Sequence, residues 1–180
     1  MVYVQRVDTT NGEVVIRMAE AADAYGCLRL FREVVSEERY LATSLIEFSR
    51  DTAEQERIIH YHSVQYNSCY FVAVYDGSVI GLVSILGGGL LRTRHVGQLE
   101  IYLDVEFRRL GLGRTLMDAA LQWAHHNRKI RKVSLSVFTD NVGAIALYQQ
   151  LGFAEEAHLK GEFLEENSVF RDKLIMSKWI

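Results

Sequence analysis

The sequence predicts an α/β (α+β) domain of three layers, in which a β-sheet lies between helices. Segments of strand-like pattern outnumber those of helical pattern, and the helical segments interrupt the strands one at a time. A chain of 180 residues that is 49% apolar and 24% charged has the size and composition of one globular domain. We therefore expect residues 1–180 to form a single domain, with residues 1–13 as an N-terminal hairpin extension.

The pattern indicates eight strand-like and four helical segments. The strand-like segments are rich in β-branched and aromatic residues, whereas the helical ones carry apolar residues three and four apart. Residues 37–50 show neither pattern. In chain order the segments are strands 3–7 and 14–18, helices 20–36 and 52–66, strands 69–75, 79–86 and 97–105, helix 111–126, strand 133–138, helix 142–150, and strands 153–159 and 169–178.

Short polar and glycine signals separate these segments. Asn11-Gly12 and Asp76-Gly77 are tight-turn pairs, and each predicts a hairpin between the strands beside it. Asp51, with Glu54 three residues later, is a helix-start signature for the helix at 52–66. A third signal, the glycine run at 87–89, ends one strand of the central region before the next begins.

Composition excludes several classes of protein. The absence of proline excludes a proline-rich linker and a cis-proline turn, and a net charge of −3 argues against a general nucleic-acid binder. Cys27 and Cys69 lie far apart and in no metal-ligand spacing, so we expect buried thiols, no metal site and a cytoplasmic setting. No apolar stretch approaches 18 residues, so we expect neither a membrane span nor a signal segment.

The segment with the clearest chemical meaning is residues 99–115, LEIYLDVEFRRLGLGRT. A strand ends here, a loop follows with the pattern Arg108-x-x-Gly111-x-Gly113, and a long helix begins. The first turn of a helix has N–H groups without internal partners, and glycines let an anion approach them closely. We therefore expect a phosphate cradle, to which Arg108, Arg109 and Arg114 add positive charge. The alternative is a glycine turn that only packs.

Two common nucleotide-binding motifs do not fit this loop. A P-loop would require lysine after its last glycine, but Arg114-Thr115 follow Gly113. A Gly-x-Gly-x-x-Gly fingerprint would require a third glycine where the chain has Leu116, and a hairpin rather than a βαβ unit precedes the loop.

A second pattern occupies residues 141–153, NVGAIALYQQLGF. Asp140 or Asn141 can cap a short helix here, and Gly152 suits its C-terminal end. Asn141 and Tyr148 are about two turns apart, so they project from similar sides of the helix. On this segment alone, a core tyrosine on a capped helix is the slightly better interpretation.

The two segments in this order resemble the Q/R-x-x-G-x-G/A and N-x-x-A-x-x-L-Y-x-x-x-G-F signatures of the GNAT superfamily of N-acetyltransferases. The resemblance extends over residues 14–178. It implies a mixed, mostly antiparallel central sheet of about seven strands flanked by helices, and an acetyl-CoA-dependent N-acyltransferase. Residues 135–141 and 171–176 look most like small bacterial acetyltransferases that act on free amino acids or similar small amines.

The resemblance also implies a set of residues that bind acetyl-CoA as cosubstrate. The amides of residues 109–114 would hold the pyrophosphate, with Thr115 beside them. The backbone of Leu103 and Val105 would pair with the pantetheine arm, to which Asn141 would hydrogen-bond, and donors there suit a developing oxyanion. The implied cofactor-binding residues are Leu103, Val105, Arg108, Arg109, Leu110, Gly111, Leu112, Gly113, Arg114, Thr115, Asn141 and Tyr148.

Two catalytic residues are expected. In the family, the residue matching Tyr148 protonates the departing thiolate, a general-acid role. The incoming amine must lose a proton, and Glu100, near the end of a strand, is our candidate base; a structural charge pair is the alternative for it. Asp104, His95 and Glu47 are weaker candidates.

Two departures from the family pattern bear on mechanism. Many relatives carry proline where this chain has Glu106, so we expect the turn before the cradle to be held by strand pairing and the coenzyme, and to be more mobile without coenzyme. Ribosomal-protein acetylases carry a glutamate where this chain has Ser136, which disfavours a protein N-terminus as acceptor and leaves the base open.

We expect the partner to be a small-molecule primary amine, with neither nucleic acid nor a membrane as partner, and leave a homodimer open. The alternatives are a polyamine, an aminoglycoside, a protein N-terminus or lysine, or a non-catalytic acyl-CoA-binding sensor; Tyr148 favours an enzyme. Acidic residues in the variable acceptor region could attract a polycation, although solvated helix faces explain them as well. They are Glu33, Glu37, Glu38, Glu47 and Glu54.

Overall fold

The structure, a computed structural model of the chain, describes residues 4–10, 12–37, 39–44, 46–165 and 168–180. Two 3₁₀ turns, Ala21–Asp23 and Val105–Phe107, accompany the strands and helices. In chain order these are β1 (Val4–Thr9), β2 (Gly12–Met18), α1 (Ala24–Ser36), α2 (Thr52–Val64), β3 (Cys69–Tyr75), β4 (Ser78–Gly87), β5 (Val96–Leu103), α3 (Leu112–His126), β6 (Lys132–Phe138), α4 (Val142–Gln150), β7 (Ala154–Leu164) and β8 (Phe170–Trp179).

The described strands form one sheet of eight in the order β1-β2-β3-β4-β5-β6-β8-β7. All neighbours are antiparallel except β5 and β6, which run parallel and are joined by α3 as a crossover helix. The predicted mixed, mostly antiparallel sheet is confirmed. It has eight strands instead of about seven, because the N-terminal hairpin adds β1 beside β2 at the sheet edge.

Helices cover both faces of the sheet, as the three-layer prediction requires. On one face, α1 and α2 pack through Ala24, Leu30 and Ile59 in a cluster that also contains Val72 of β3 and Leu82 of β4. On the other face, α3 packs its apolar stripe against the larger cluster, to which α4 also belongs. Burying each large apolar side chain of that stripe contributes about 1.5–3 kcal/mol.

The turn signals of the sequence act locally as expected. The Asp51 carboxylate accepts a hydrogen bond from the Glu54 amide at 2.7 Å and caps α2. Asp76 and Gly77 have φ of 45° and 74°, so both occupy the left-handed region and close the β3–β4 hairpin. The first hairpin is also present, although Tyr3 and Asn11 lie outside the described residues.

The described helices were also compared with the length and apolarity that a membrane span requires. None of them reaches 18 residues with the necessary hydropathy. The predicted cellular setting stays a prediction.

Candidate active site

The sheet opens between its two parallel strands. Among the described residues, β5 and β6 pair at three positions, which are Val96↔Lys132, Gly97↔Val133 and Gln98↔Ser134. Beyond this point β5 stays bonded to β4, and β6 stays bonded to β8. The two central strands therefore leave an opening between them at their carboxyl ends.

β5 presents backbone groups to this opening. The Asp104 amide donates to the Ile80 carbonyl at 2.9 Å, which fixes the phase of the β4–β5 ladder. Because successive residues of a strand turn their N–H and C=O groups to opposite sides, those of Ile101 and Leu103 point away from β4. An extended ligand arm in the opening can therefore bond to β5 like an added strand.

The two residues expected to pair with a pantetheine arm lie in different elements. Leu103 is the last residue of β5, whereas Val105 begins the 3₁₀ turn, and its carbonyl accepts from the Arg108 amide at 3.3 Å. The alternation of hydrogen bonds between β4 and β5 shows that Ile101 is the second residue of the strand whose N–H and C=O groups point toward the opening. Counting two residues back from Leu103 could have identified Ile101 from the sequence.

Arg108, the first residue of the loop signature, ties the loop to its neighbours. Its guanidinium forms a two-bond ion pair with Glu37 at the end of α1, and its Nε donates to the Leu103 carbonyl at 2.9 Å. The Asp104 carboxylate also accepts from the Glu106 amide at 3.0 Å. These contacts fix the turn in addition to the strand pairing that we expected. In the structure the charge of Arg108 is paired with that of Glu37, so its part in the cradle stays a prediction.

The first turn of α3 is a cradle of unpaired amides. Thr115 donates its N–H to the Gly111 carbonyl at 3.1 Å, but the amides of residues 111–114 have no acceptor among the described residues. Gly111 and Arg109 have φ of 81° and 63°, so the backbone turns sharply just before the helix. Arg109 and Arg114 are exposed and form no ion pair with any described residue. This arrangement suits a bound phosphate.

Gly113 lies in the first turn of α3, beside the cradle. A Cβ there would lie 3.6 Å from Leu147 of α4 and 4.0 Å from Leu103, which are ordinary contacts, so protein packing does not require glycine. Leu112, also in the predicted set, is buried in the core, so only its backbone can contact a ligand, whereas Leu110 is half-buried against the core.

Asn141 is the cap of α4. Its Oδ1 accepts from the Ala144 amide at 3.3 Å, whereas Asp140 forms a two-bond ion pair with Arg171 at 2.7 and 2.9 Å. The choice between Asp140 and Asn141 is therefore settled in favour of Asn141. The side-chain nitrogen of Asn141, Nδ2, bonds to no described residue and can donate to a ligand.

Tyr148 is buried, with 7% of its surface exposed, and packs against Phe153 at a ring distance of 6.1 Å. The Tyr148 hydroxyl has no hydrogen-bond partner among the described residues. In the same part of the chain, every side-chain oxygen or nitrogen that is fully shielded from solvent does have a hydrogen-bond partner. The hydroxyl tip must therefore reach accessible surface. Burial raises the pKa of Tyr148 to about 12, so this group stays protonated and able to donate at neutral pH.

A cleft of about 510 Å³ lies on the face covered by α1 and α2. This volume suits a small molecule. Its walls come from α1, α2, β3, β4 and β5 and from the segment before α2. The lining residues are Phe31, Arg50, Glu54, Arg57, Ile58, Tyr61, His62, Tyr70, Leu82, Ser84, Leu86, Glu100 and Tyr102.

Glu100 lies in this cleft. Its carboxylate accepts from the Tyr102 hydroxyl at 3.2 Å and pairs with no described lysine or arginine, so the charge-pair alternative is not what the structure contains. Burial and the neighbouring carboxylate of Glu100 raise the pKa of Tyr102, and Tyr148 acts in the same direction. Tyr102 is therefore within electrostatic range of both predicted catalytic residues.

The weaker base candidates do not line this cleft. Glu47 accepts from the amide and hydroxyl of Ser44 at 3.0 and 2.8 Å. Asp104 caps the 3₁₀ turn. The backbone carbonyl of His95 accepts hydrogen bonds from two backbone amides.

The acidic residues that could attract a polycation have mostly other partners. Glu33 pairs with Arg29 within α1, and Glu37 pairs with Arg108. Glu54 lines the cleft, and Glu38 lies outside the described residues.

Comparison with known proteins agrees with the two motifs. A model of the acetyltransferase (GNAT) family matches residues 18–153. An L-amino acid N-acetyltransferase of Escherichia coli is 28% identical over 166 residues, covering 92% of this chain and 98% of the relative. An N-alpha-acetyltransferase of Saccharolobus solfataricus is 30% identical over 61% of this chain and 70% of its own length.

The fold agrees as well. The crystal structure of a GNAT-family acetyltransferase from Streptococcus pneumoniae superposes with a TM-score of 0.89 at 28% identity, over 93% of this chain and 99% of that one. The family match spans the opening, the cradle and α4. The chain therefore belongs to the acetyltransferase (GNAT) family and is an acetyl-CoA-dependent acyltransferase, as its two motifs predict.

Proposed function

We propose that this chain, acting as a single domain, transfers the acetyl group of acetyl-CoA to a primary amine of a small molecule by direct attack. The observation that carries the proposal is the hydroxyl of Tyr148, which bonds to no residue in the described part of the chain. It lies within electrostatic range of Tyr102, which lines a cleft of small-molecule size. The amine acceptor occupies this cleft, and the coenzyme enters through the opening between β5 and β6.

The coenzyme is held mainly by backbone groups. The amides of residues 111–114 bind its pyrophosphate, aided by the exposed Arg109 and Arg114. The backbone groups of Ile101 and the amide of Leu103 pair with the pantetheine arm, and the side chain of Asn141 donates to it; the Leu103 carbonyl already accepts from Arg108. Three further residues of the predicted set belong to the same loop and helix turn and help to hold its backbone in place; they are Leu110, Leu112 and Thr115. Val105 and Arg108 contribute by fixing the turn.

The chemistry then requires three proton movements. The nitrogen loses one proton before it attacks and a second, to the solvent, once the C–N bond has formed, and the sulfur gains one. The neutral amine nitrogen attacks the thioester carbon, a C–N bond forms, and the C–S bond breaks as the tetrahedral intermediate collapses. Tyr148 donates its proton to the departing sulfur and regains one from the solvent. Glu100, directly or through a water molecule, accepts the proton that the ammonium group loses. The products are the N-acetylated amine and free coenzyme A.

Replacing Glu100 by glutamine should lower kcat/KM by about 100-fold near pH 7, because general bases typically contribute at least that much. The loss should shrink as the pH rises, since a larger fraction of the acceptor is already neutral. The measurement is kcat/KM from pH 6.5 to 10 for both proteins. A loss of the same size at every pH would exclude Glu100 as the base.

The substrate class is supported by the size of the cleft and by the relative named an L-amino acid N-acetyltransferase. The direct experiment follows thiol release from acetyl-CoA with amino acids, simple amines, polyamines, aminoglycosides and peptides, and identifies each acetylated product by mass. We expect a small primary amine to be acetylated fastest. A preference for a polyamine or peptide, or coenzyme binding without turnover of any amine, would contradict the proposal.

A further inference from the structure

The acceptor cleft contains one arginine that is fixed in place. The guanidinium of Arg50 lies over the ring of Phe31 at 5.0 Å and near that of Phe48 at 5.9 Å, and the two rings stack at 5.0 Å. Its Nη1 donates to Oε1 of Gln55 at 3.1 Å. Stacking and a hydrogen bond together restrict the rotamers of Arg50 before any ligand binds.

The residue that holds Arg50 is itself anchored in the core. Gln55 is 1% exposed, and its Nε2 donates to the Tyr70 hydroxyl at 3.0 Å. Tyr70, at 7% exposure, belongs to β3. Burying a glutamine costs free energy unless its polar atoms form hydrogen bonds. The Oε1 atom of Gln55 forms its bond with Arg50 and thereby orients the arginine.

The charge of Arg50 has no counter-ion in the described part of the chain. Arg17, Arg29 and Arg108 each contact a carboxylate within 4 Å, whereas Arg50 contacts none. Its remaining N–H groups bond to no described acceptor. A planar guanidinium with free donors fits a carboxylate through two parallel bonds.

Arg50 also lies at a suitable place relative to the reacting groups. Phe31 contacts both Arg50, whose guanidinium carbon lies 5.0 Å from the Phe31 ring centre, and Tyr102, whose ring centre lies 4.8 Å away. Tyr102 in turn bonds to Glu100. The cleft therefore has a fixed positive group at one end of this chain of contacts and a negative group at the other end.

We propose that Arg50 binds a carboxylate of the acceptor, so that the amine substrate is an amino acid or a similar small zwitterion. This inference rests on the proposed function. The amino group lies toward Glu100 and Tyr148, and the carboxylate lies toward Arg50. A polyamine would instead place a second positive charge beside the arginine, which disfavours that acceptor.

The test compares each amino acid with its carboxamide, which keeps the amine and side chain but removes the negative charge. The wild-type protein should acetylate the acid with a kcat/KM about 10- to 100-fold above that of the amide, the worth of a charged hydrogen-bonded pair. Arg50→Gln should remove this preference by slowing the acid, and Arg50→Lys should retain part of it. The thermal shift caused by acetyl-CoA should be the same in all variants.

Arg57→Gln is the matched control, because Arg57 lines the same cleft but neither hydrogen-bonds to Gln55 nor stacks on Phe31 or Phe48. It should leave the preference unchanged. Equal rates for acid and amide in the wild type, or a preference that survives Arg50→Gln or disappears in Arg57→Gln, would overturn the assignment while the proposed function stands. Failure of acids and amides alike to be acetylated would contradict the proposed function itself.

Discussion

Replacing Tyr148 by phenylalanine should lower kcat by about 100-fold or more, the lower end of what a general acid contributes. The lower end is expected because a thiolate leaves without help more readily than an alkoxide or an amide anion. The affinity for acetyl-CoA should hardly change, since the ring and its packing against Phe153 are kept. The measurements are kcat by thiol release and the coenzyme Kd by calorimetry.

The tyrosine prediction has a control and a characteristic dependence on pH. Tyr25→Phe removes an exposed hydroxyl on α1 and should leave kcat unchanged. Because burial raises the pKa of Tyr148 to about 12, its ionisation should not produce a fall in wild-type activity below about pH 11. Undiminished turnover by Tyr148→Phe would show that the tyrosine is a packing residue and not the acid.

Replacing Gly113 by valine should raise the Kd for acetyl-CoA by about 10-fold or more while changing the free energy of unfolding by less than about 1 kcal/mol. The added Cβ meets Leu147 and Leu103 at ordinary contact distances, and we expect the two methyl groups to turn away from Leu147 toward the coenzyme. The side chain then occupies the space in which the coenzyme must approach the cradle amides. Calorimetry gives the Kd, and denaturant unfolding gives the stability.

Gly143→Val is the matched control for this substitution. Gly143 also lies in the first turn of a helix, α4, and a Cβ there meets no atom within 4 Å. Its replacement should leave the Kd unchanged. Unaltered coenzyme binding by Gly113→Val would mean that the coenzyme does not pass beside α3.

Much of the fold follows from short-range patterns. The apolar stripe of α3, the Asp51 cap and the Asp76-Gly77 turn each determine local structure with residues a few positions apart. The cradle is predictable for the same reason, since its geometry is that of one loop and one helix turn. The ends of the strands are harder to predict. β5 ends at Leu103, because the side chain of Asp104 caps the 3₁₀ turn that follows.

The acceptor cleft could not be predicted in this way. The position of Arg50 in the cleft depends on Phe31, Gln55 and Tyr102. These residues are separated in sequence and come together only when α1 and α2 pack on the sheet. The ion pair of Arg108 with Glu37 likewise joins residues 71 positions apart. A pattern confined to neighbouring residues contains no information about such contacts.

The central claim is that acetyl-CoA binds across the opening of the sheet with its pyrophosphate on the first turn of α3. Amide hydrogen exchange, with and without acetyl-CoA, tests it most directly. Within residues 105–113 and the adjacent Arg114, the amides of residues 111–114 should exchange fast in the free protein, because they lack acceptors among the described residues, and slowly in the complex. Equal protection of this segment in both states, with protection gained elsewhere, would contradict the claim.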